Sequence, residues 1–383
     1  MRIVIVTTDN REHERTYQGT TPRFCAGHHS LLEGFARTEG IEVHVVSCTQ
    51  QPMRSPEKLA GNMWFHSLHV PKIGWLRTLY QGCIRAVRRK VRELKPDLVH
   101  GHGTERECGI SAALSGFPNL VTVHGNMAEH ARQFGARFGS YTWLQAHVEN
   151  FALRKTIGVF CNSTYTLGAV RARARQTWLV PHALRLAFFD PPPDHGPRPC
   201  VLLNAGVICA RKRQLELLDV AEALHFQGLK FDFRFIGFVP EADTGYARKF
   251  LERIKPMEAA GYAHFLGPLP ESELVRCFDS VAGVIHFPTE EAFGNVVVES
   301  LSRNLKFFGS RLGGIVDIAQ GASGAELFLR DDWPGLTAAI GRWIQNGHPR
   351  PDAAANAMRE CYHPKAIARR HVEIYREVLR TFS

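Results

Sequence analysis

The chain has 383 residues, more than the roughly 250–300 at which a single hydrophobic core stops growing, so two domains are expected. Hydrophobic residues make up 44% and charged residues 22%, a globular balance that excludes a disordered polymer or fibrous repeat, and no apolar stretch approaches the ~20 residues that span a bilayer. Forty-seven Lys and Arg against 37 Asp and Glu give a net charge of +10, which favours an acidic partner: phosphate, lipid or nucleic acid.

Residues 3–6, Ile-Val-Ile-Val, form a short apolar run that stops in Thr7-Thr8-Asp9-Asn10, and they read as a first buried strand rather than a leader segment. Similar runs follow at 43–47, 98–100, 120–123 and 159–161, separated by helical stretches; this alternation predicts a parallel sheet covered on both faces. The stretch 190–199, Asp-Pro-Pro-Pro-Asp-His-Gly-Pro-Arg-Pro, suits neither a helix interior nor a central strand and reads as a linker. The alternation then restarts, with strands expected at 201–205, 231–236, 263–266, 281–286 and 307–309 and a helix at 214–225. Ile367, Val372, Ile374, Tyr375 and Val378, set among Arg and Glu, predict an amphipathic helix over 364–379. The expected organisation is an α/β chain of two Rossmann-like parallel-sheet domains, 1–189 and 200–362, facing each other across a cleft, with a terminal element at 363–383. Ligands of such sheets bind at the carboxyl ends of the strands, so the loops after strands carry the search for function.

Nine cysteines are scattered from Cys25 to Cys361 without a Cys-x-x-Cys pair, which argues against a disulfide framework and a structural zinc site and predicts a reducing, cytoplasmic compartment. Cys108 and Cys161 read as core fillers. His28-His29 and His100-x-His102 invite a metal reading, but no carboxylate or cysteine stands at ligand spacing, and they are read as strand-end or loop residues with no metal expected.

The most informative segment is 286–299, which follows a predicted strand and opens a helix whose free N–H groups form an anion site. Gly294 lets the backbone approach a phosphate or sugar, and Glu291 and Glu299 suit a sugar hydroxyl and a ribose diol, because ionised carboxylates only accept hydrogen bonds. An ordinary solvated helix start is the plain alternative. Arg211 and Lys212 follow the first strand of the second domain and suit a diphosphate clamp; the same alternative applies to them. His124, in Thr122-Val123-His124-Gly125, ends a strand of the first domain, with a structural histidine as the alternative.

Glu291 and Glu299 form an E-x7-E pair around Ala292-Phe293-Gly294-Asn295-Val296. With it stand Lys95-Pro96-Asp97-Leu98-Val99-His100-Gly101-His102-Gly103, Cys161-Asn162-Ser163, Val180-Pro181-His182, Phe265-Leu266-Gly267-Pro268-Leu269 and Gly313-Gly314-Ile315-Val316-Asp317. In this order and spacing the chain resembles, over nearly its whole length, the nucleotide-sugar glycosyltransferases of GT-B fold, specifically the retaining glycosyltransferase family four. The resemblance implies that Glu291 contacts the donor sugar, Glu299 the ribose and Lys212 the diphosphate, with Arg211 beside it. It also implies that the amides of Phe293, Gly294, Asn295 and Val296 hold phosphate or sugar oxygens and that Gly267 to Leu269 border the base. His124 would face the transferred sugar, Gly27, in the loop after the first strand, would approach the phosphates, and the helix bearing Tyr375 would cross back to the first domain. Gly206 matches the glycine of the family's Gly-Arg…Lys motif, but Val207 stands where the family often has Arg, so Arg211 is the candidate replacement. Asn304-Leu305-Lys306 replaces the usual Gly-x-Pro, His182-Ala183 an Asn-Gly, and Ala26-Gly27 a tandem glycine. Asn tolerates the left-handed turn that the first of these requires.

The function expected from this resemblance is transfer of a hexose-type sugar from a UDP- or GDP-sugar to a glycan, lipid-linked or small-molecule acceptor, with retention and without metal or other cofactor. No Asp-x-Asp motif ends a strand, and fixed cations serve the leaving phosphate instead. A sugar-nucleotide epimerase of the same fold is one alternative; a dehydrogenase is disfavoured because the first strand lacks Gly-x-Gly-x-x-Gly. A basic, non-enzymatic membrane or nucleic-acid binder is another, resting on Arg85, Arg88, Arg89 and Arg92 beside Ile84, Val87, Val91 and Leu94, a pattern shared with any packed surface helix. Nucleic acid is not expected as a partner, whereas peripheral contact with the cytoplasmic membrane face suits a lipid-linked acceptor. The basic, aromatic segment 132–139 is a further acceptor-side candidate.

Overall fold

The computed structural model describes residues 1–133, 135–191, 199–240 and 244–382. The chain divides into two compact units, one formed by Met1–Arg185 with Tyr362–Ser383 and the other by Leu186–Cys361. Most of the Pro-rich stretch 190–199 lies outside the described residues, as does Phe134 of the 132–139 segment.

The first unit is built on strands β1 (Arg2–Val6), β2 (Glu42–Thr49), β3 (Lys58–Ala60), β4 (Met63–His69), β5 (Leu98–His102), β6 (Asn119–Val123), β7 (Gly158–Cys161) and β8 (Thr177–Leu179). They form one sheet in the order β3-β4-β2-β1-β5-β6-β7-β8, parallel except for β3 against β4. The second unit carries β9 (Val201–Ala205), β10 (Asp232–Ile236), β11 (Ala263–Phe265), β12 (Gly283–His286), β13 (Lys306–Ser310) and β14 (Ala325–Phe328), all parallel, in the order β11-β10-β9-β12-β13-β14. Both are Rossmann-like sheets whose strand order reverses once, between β1 and β5 in the first and between β9 and β12 in the second.

Every residue of β5, β6, β7, β9 and β12 is buried, which is why these strands read as continuous apolar runs. β3 and β8 are three-residue edge strands, and all residues of the edge strand β14 are half-buried. A strand with one wet face carries no such run, so sequence pattern passes over these elements.

The terminal helix, Pro364–Phe382, begins on a proline whose fixed φ suits a first helical position. Its buried face, including Ile367, Ala368, Val372, Ile374, Tyr375 and Val378, joins the core of the first unit. It lies against the helix Ala26–Ala36 so closely that a Cβ on Gly34 would stand 2.3 Å from the Pro364 carbonyl oxygen. Tyr375 is fully buried, and its hydroxyl bonds His100 Nδ1 at 2.6 Å. The opposite ring nitrogen of His100 meets Thr122 Oγ1 at 2.8 Å, so this buried strand histidine is saturated. Gly27 lies in the first turn of the helix Ala26–Ala36, not in a loop, because the helix starts directly after the extended Cys25.

Tyr375→Phe removes the Nδ1 partner of a buried imidazole. It is expected to destabilise the first unit by about 1–3 kcal/mol, lowering its thermal midpoint by about 2–4 °C per kcal/mol in a circular-dichroism melt.

Candidate functional site

In the second unit the reversal of strand order separates the loops after β9 and β12. The backbone ladder between these strands ends at Val284 opposite Leu203, and beyond it Asn204 Nδ2 donates to the Ile285 carbonyl at 2.8 Å. Lys212 comes from the single 3-10 turn Ala210–Lys212 after β9, His286 ends β12, and Glu291 follows in the next loop. Lys212 Nζ donates to Glu291 Oε2 at 2.5 Å, and the same oxygen meets His286 Nε2 at 2.9 Å. Burial alone would push the Glu291 carboxyl up, but Lys212 and His286 outweigh it and hold it well below the ordinary carboxylate range. His286 is lowered, first by burial and then by the Lys212 charge.

The backbone is fitted closely around this group. Gly314 N donates to the Glu291 carbonyl at 3.0 Å, and a Cβ on Gly313, at φ +49°, would fall 2.0 Å from that oxygen. Arg211 Nη1 donates to the Glu290 carbonyl at 3.1 Å, and the Arg211 carbonyl accepts from Thr289 N at 2.9 Å, which ties the two loops together. Arg213, the next cation along, is buried, pairs with Asp331 at 2.8 Å and stacks on Trp333, a structural use of charge.

Gly294, left-handed at φ +105°, is the N-cap of the helix Asn295–Ser302, directly after the loop that holds Glu291. Phe293 and Glu299 are buried, whereas Asn295 and Val296 are half-buried. Gly206 N bonds the Ile236 carbonyl and Gly237 N bonds the Gly267 carbonyl, each at 2.9 Å, so these glycines cross the carboxyl ends of three adjacent strands. Gly237 is the member that sequence pattern misses: a Cβ there would lie 1.8 Å from the Gly206 oxygen. Leu269 lies half-buried two residues beyond Gly267. Lys212, Arg211, Glu291 and the Gly294 turn are thus brought together, with His286 as an addition whose signal was a histidine ending an otherwise apolar strand. Asn304 is left-handed at φ +52°, as the replaced Gly-x-Pro turn requires.

In the first unit His124 follows β6, and its neighbours are again imidazoles. Its Nε2 lies 2.6 Å from His28 Nε2 and its Nδ1 2.7 Å from His182 Nε2. Asn162 Nδ2 stands 3.3 Å from the same His182 nitrogen, and Thr7 Oγ1 bonds His28 Nδ1 at 2.8 Å. Gly27 packs beside this group, where a Cβ would meet His182 Nδ1 at 3.2 Å. Gly125 makes room for the Glu105 carboxylate, which accepts from its N–H at 2.5 Å. The following turn is fixed by buried Glu149, which accepts from Met127 N, Ala128 N, Thr104 Oγ1 and Arg173 at 2.7–3.1 Å. His28 and His102, read separately in the sequence as loop and strand-end residues, stand in this one cluster: His28 is helical and His102 ends β5.

Residues 29–185 match the family model described as Glycosyltransferase Family 4. No curated protein matches the sequence. Among solved structures the chain is similar to sucrose-phosphate synthase from Thermosynechococcus elongatus, at 17% identity over 100% of both chains with a TM-score of 0.77. It is also similar to HepE of Anabaena in complex with UDP and glucose, at 14% identity over 98% of this chain and 99% of that one, TM-score 0.72. The lipopolysaccharide outer core galactosyltransferase WaaB is similar at 14% identity over 98% and 100%, TM-score 0.69. The fold is that of the GT-B proteins, two Rossmann-like parallel-sheet domains with a C-terminal helix returning to the first. The resemblance to glycosyltransferase family four is borne out over residues 29–185, a match that supports glycosyltransferase activity, while the solved structures show the fold.

Because the folded Glu291 carboxyl titrates below its ordinary value of ~4.3, its stabilisation is complete above that pH and is lost as pH falls through the folded value. Glu291→Gln is expected to cost the second unit about 1–3 kcal/mol at pH 7, with the gap to the unsubstituted chain narrowing below about pH 4. Urea unfolding of both proteins at pH 7 and pH 3 measures this.

Proposed function

We propose that the protein transfers a hexose-type sugar from a UDP- or GDP-sugar to a glycan, lipid-linked or small-molecule acceptor, with retention and without a metal at the diphosphate. The observation that carries this reading is the Lys212–Glu291–His286 group beside the Gly294-capped helix, at the reversal of strand order in the second unit. Glycosyl transfer builds negative charge on the leaving diphosphate and positive charge on the sugar, so preorganised cations and amide dipoles aimed at the phosphate lower the barrier. An ammonium has three N–H donors, and Lys212 can keep Glu291 while it donates to a phosphate oxygen. Arg211 and the amides of 293–296 add to that charge, and Glu291 offers its remaining acceptor positions to sugar hydroxyls. Glu299, one turn into the helix, accepts from the ribose. The family resemblance implies a sugar-facing role for His124, and it also implies retention, with the leaving phosphate assisting deprotonation of the acceptor. HepE has been solved with UDP and with UDP-glucose, which supports uridine as the first donor base to test.

A lipid-linked acceptor is supported by one face of the first unit. The helix Gln81–Leu94 buries Ile84, Val87 and Val91 and exposes Arg85, Arg88, Arg89 and Arg92. Beside it Ile73 and Leu79 are 73% and 50% exposed, and Ile73, Arg85 and Arg89 line a cavity of about 580 Å³. No helix among the described residues is long and apolar enough to cross a membrane.

A thermal-shift panel with UDP, GDP, ADP and CMP tests the donor reading. One nucleoside diphosphate at ~100 times its dissociation constant is expected to stabilise by about 2.7 kcal/mol. That increment is expected to survive a chelator and to vanish in Glu299→Ala; no shift with any nucleotide would overturn the reading. For the membrane face, sedimentation with anionic vesicles is expected to fall with salt and in the double variant Arg85→Glu/Arg89→Glu, while neutral vesicles bind neither protein.

A further inference from the structure

The carboxyl edge of the first sheet holds more imidazoles than one sugar contact uses. His28 is 8% exposed and His102 4% exposed, and neither ring nitrogen of His102 has a hydrogen-bond partner among the described residues. This contrasts with His100, two residues earlier on the same strand and face, whose nitrogens are both bonded. An unmet buried polar group is costly, and one aimed at other imidazoles has its natural partner in a cation.

We infer that His28, His102 and His124 bind one borderline divalent cation of the Zn²⁺, Co²⁺ or Ni²⁺ kind. One ligand nitrogen from each lies within 4.8 Å of the others. A tetrahedral ion with bonds of about 2.0–2.1 Å keeps its nitrogens about 3.3 Å apart. The 2.6 Å His28–His124 separation and the 4.8 Å limit bracket that value, so small ring rotations suffice. The outer partners are already placed. His28 and His124 face each other through Nε2, while their Nδ1 atoms are held by Thr7 Oγ1 and His182 Nε2, the arrangement that orients a ligating imidazole. Three imidazoles without a carboxylate select against Mg²⁺ and Ca²⁺, which prefer oxygen. With three protein ligands the ion retains one position for water or another donor. Strand topology explains the convergence: His28 follows β1 and His102 ends β5, the two strands at which this sheet reverses its order.

The test uses untagged full-length chain, stripped with a chelator and dialysed against micromolar Zn²⁺ or Co²⁺. The expected result is one ion per chain after gel filtration, with a visible Co²⁺ spectrum of low-symmetry nitrogen coordination that Mg²⁺ does not displace. His102→Ala and His28→Ala are expected to bind at least about tenfold more weakly, whereas His147→Ala, at an exposed histidine, retains full binding. Circular dichroism establishes that each variant is folded, and the unsubstituted chain's stoichiometry and Co²⁺ spectrum decide the matter if one is not. Substoichiometric uptake, equal affinity in folded His102→Ala, or displacement by Mg²⁺ would overturn the assignment. A sulfur-to-cobalt charge-transfer band would also overturn it, by moving the ion to the cysteines.

Discussion

A parallel strand covered on both faces has almost nowhere to keep a polar side chain except at its carboxyl end, and both units are organised by that constraint. Their central strands are wholly buried, and their chemistry-bearing groups emerge where those strands stop. The reversal of strand order sends the next helix to opposite faces, so two loops diverge and leave room between them. Lys212 and Glu291 meet across one such reversal, and His28 and His102 meet at the other.

The two edges handle buried polarity in different ways. The second unit pairs opposite charges: Lys212 compensates the desolvation of Glu291, and buried Arg303 does the same for Asp279 at 2.7 Å. The first unit has such pairs too, Arg11–Asp9 and Arg173–Glu149, and adds a set of buried imidazoles. His371 is pushed down to about 4 and His100 well below its ordinary value, and both lie in the aromatic cluster with Phe160 and Tyr375. Neutral rings cost less to bury than ions, but each needs a partner for its nitrogens, which is why hydroxyls of Thr7, Thr122 and Tyr375 surround them.

Much of this was legible in the sequence, and the reason is the same burial. All-apolar runs located the central strands to within a residue or two, and the terminal helix announced itself by its Ile367–Tyr375–Val378 stripe. Glu291, Lys212 and Gly294 stand out as candidates because they follow such runs. The internal strand β4 and the edge strands β3, β8 and β14 were not legible, because half-exposed strands lack the pattern. Gly237 escaped for another reason: its requirement comes from the Gly206 carbonyl on a neighbouring strand, a contact made only by the fold. The histidine cluster likewise assembles residues 22 to 96 positions apart, beyond any spacing rule for metal ligands.

The division of the chain carries a consequence for how it is made. The first unit comprises Met1–Arg185 and Tyr362–Ser383, with the continuous stretch Leu186–Cys361 forming the second between them. During synthesis the leading half therefore emerges without Ile374, Tyr375 and Val378, and the apolar surface around Phe35 and Phe160 waits for them. The second unit, whose segments are all contiguous, can finish first. Of the two units, the one whose translation starts earlier is completed later, its last core residues supplied only after the whole of the second unit, so termination between residues 186 and 361 leaves it with an open core that invites aggregation.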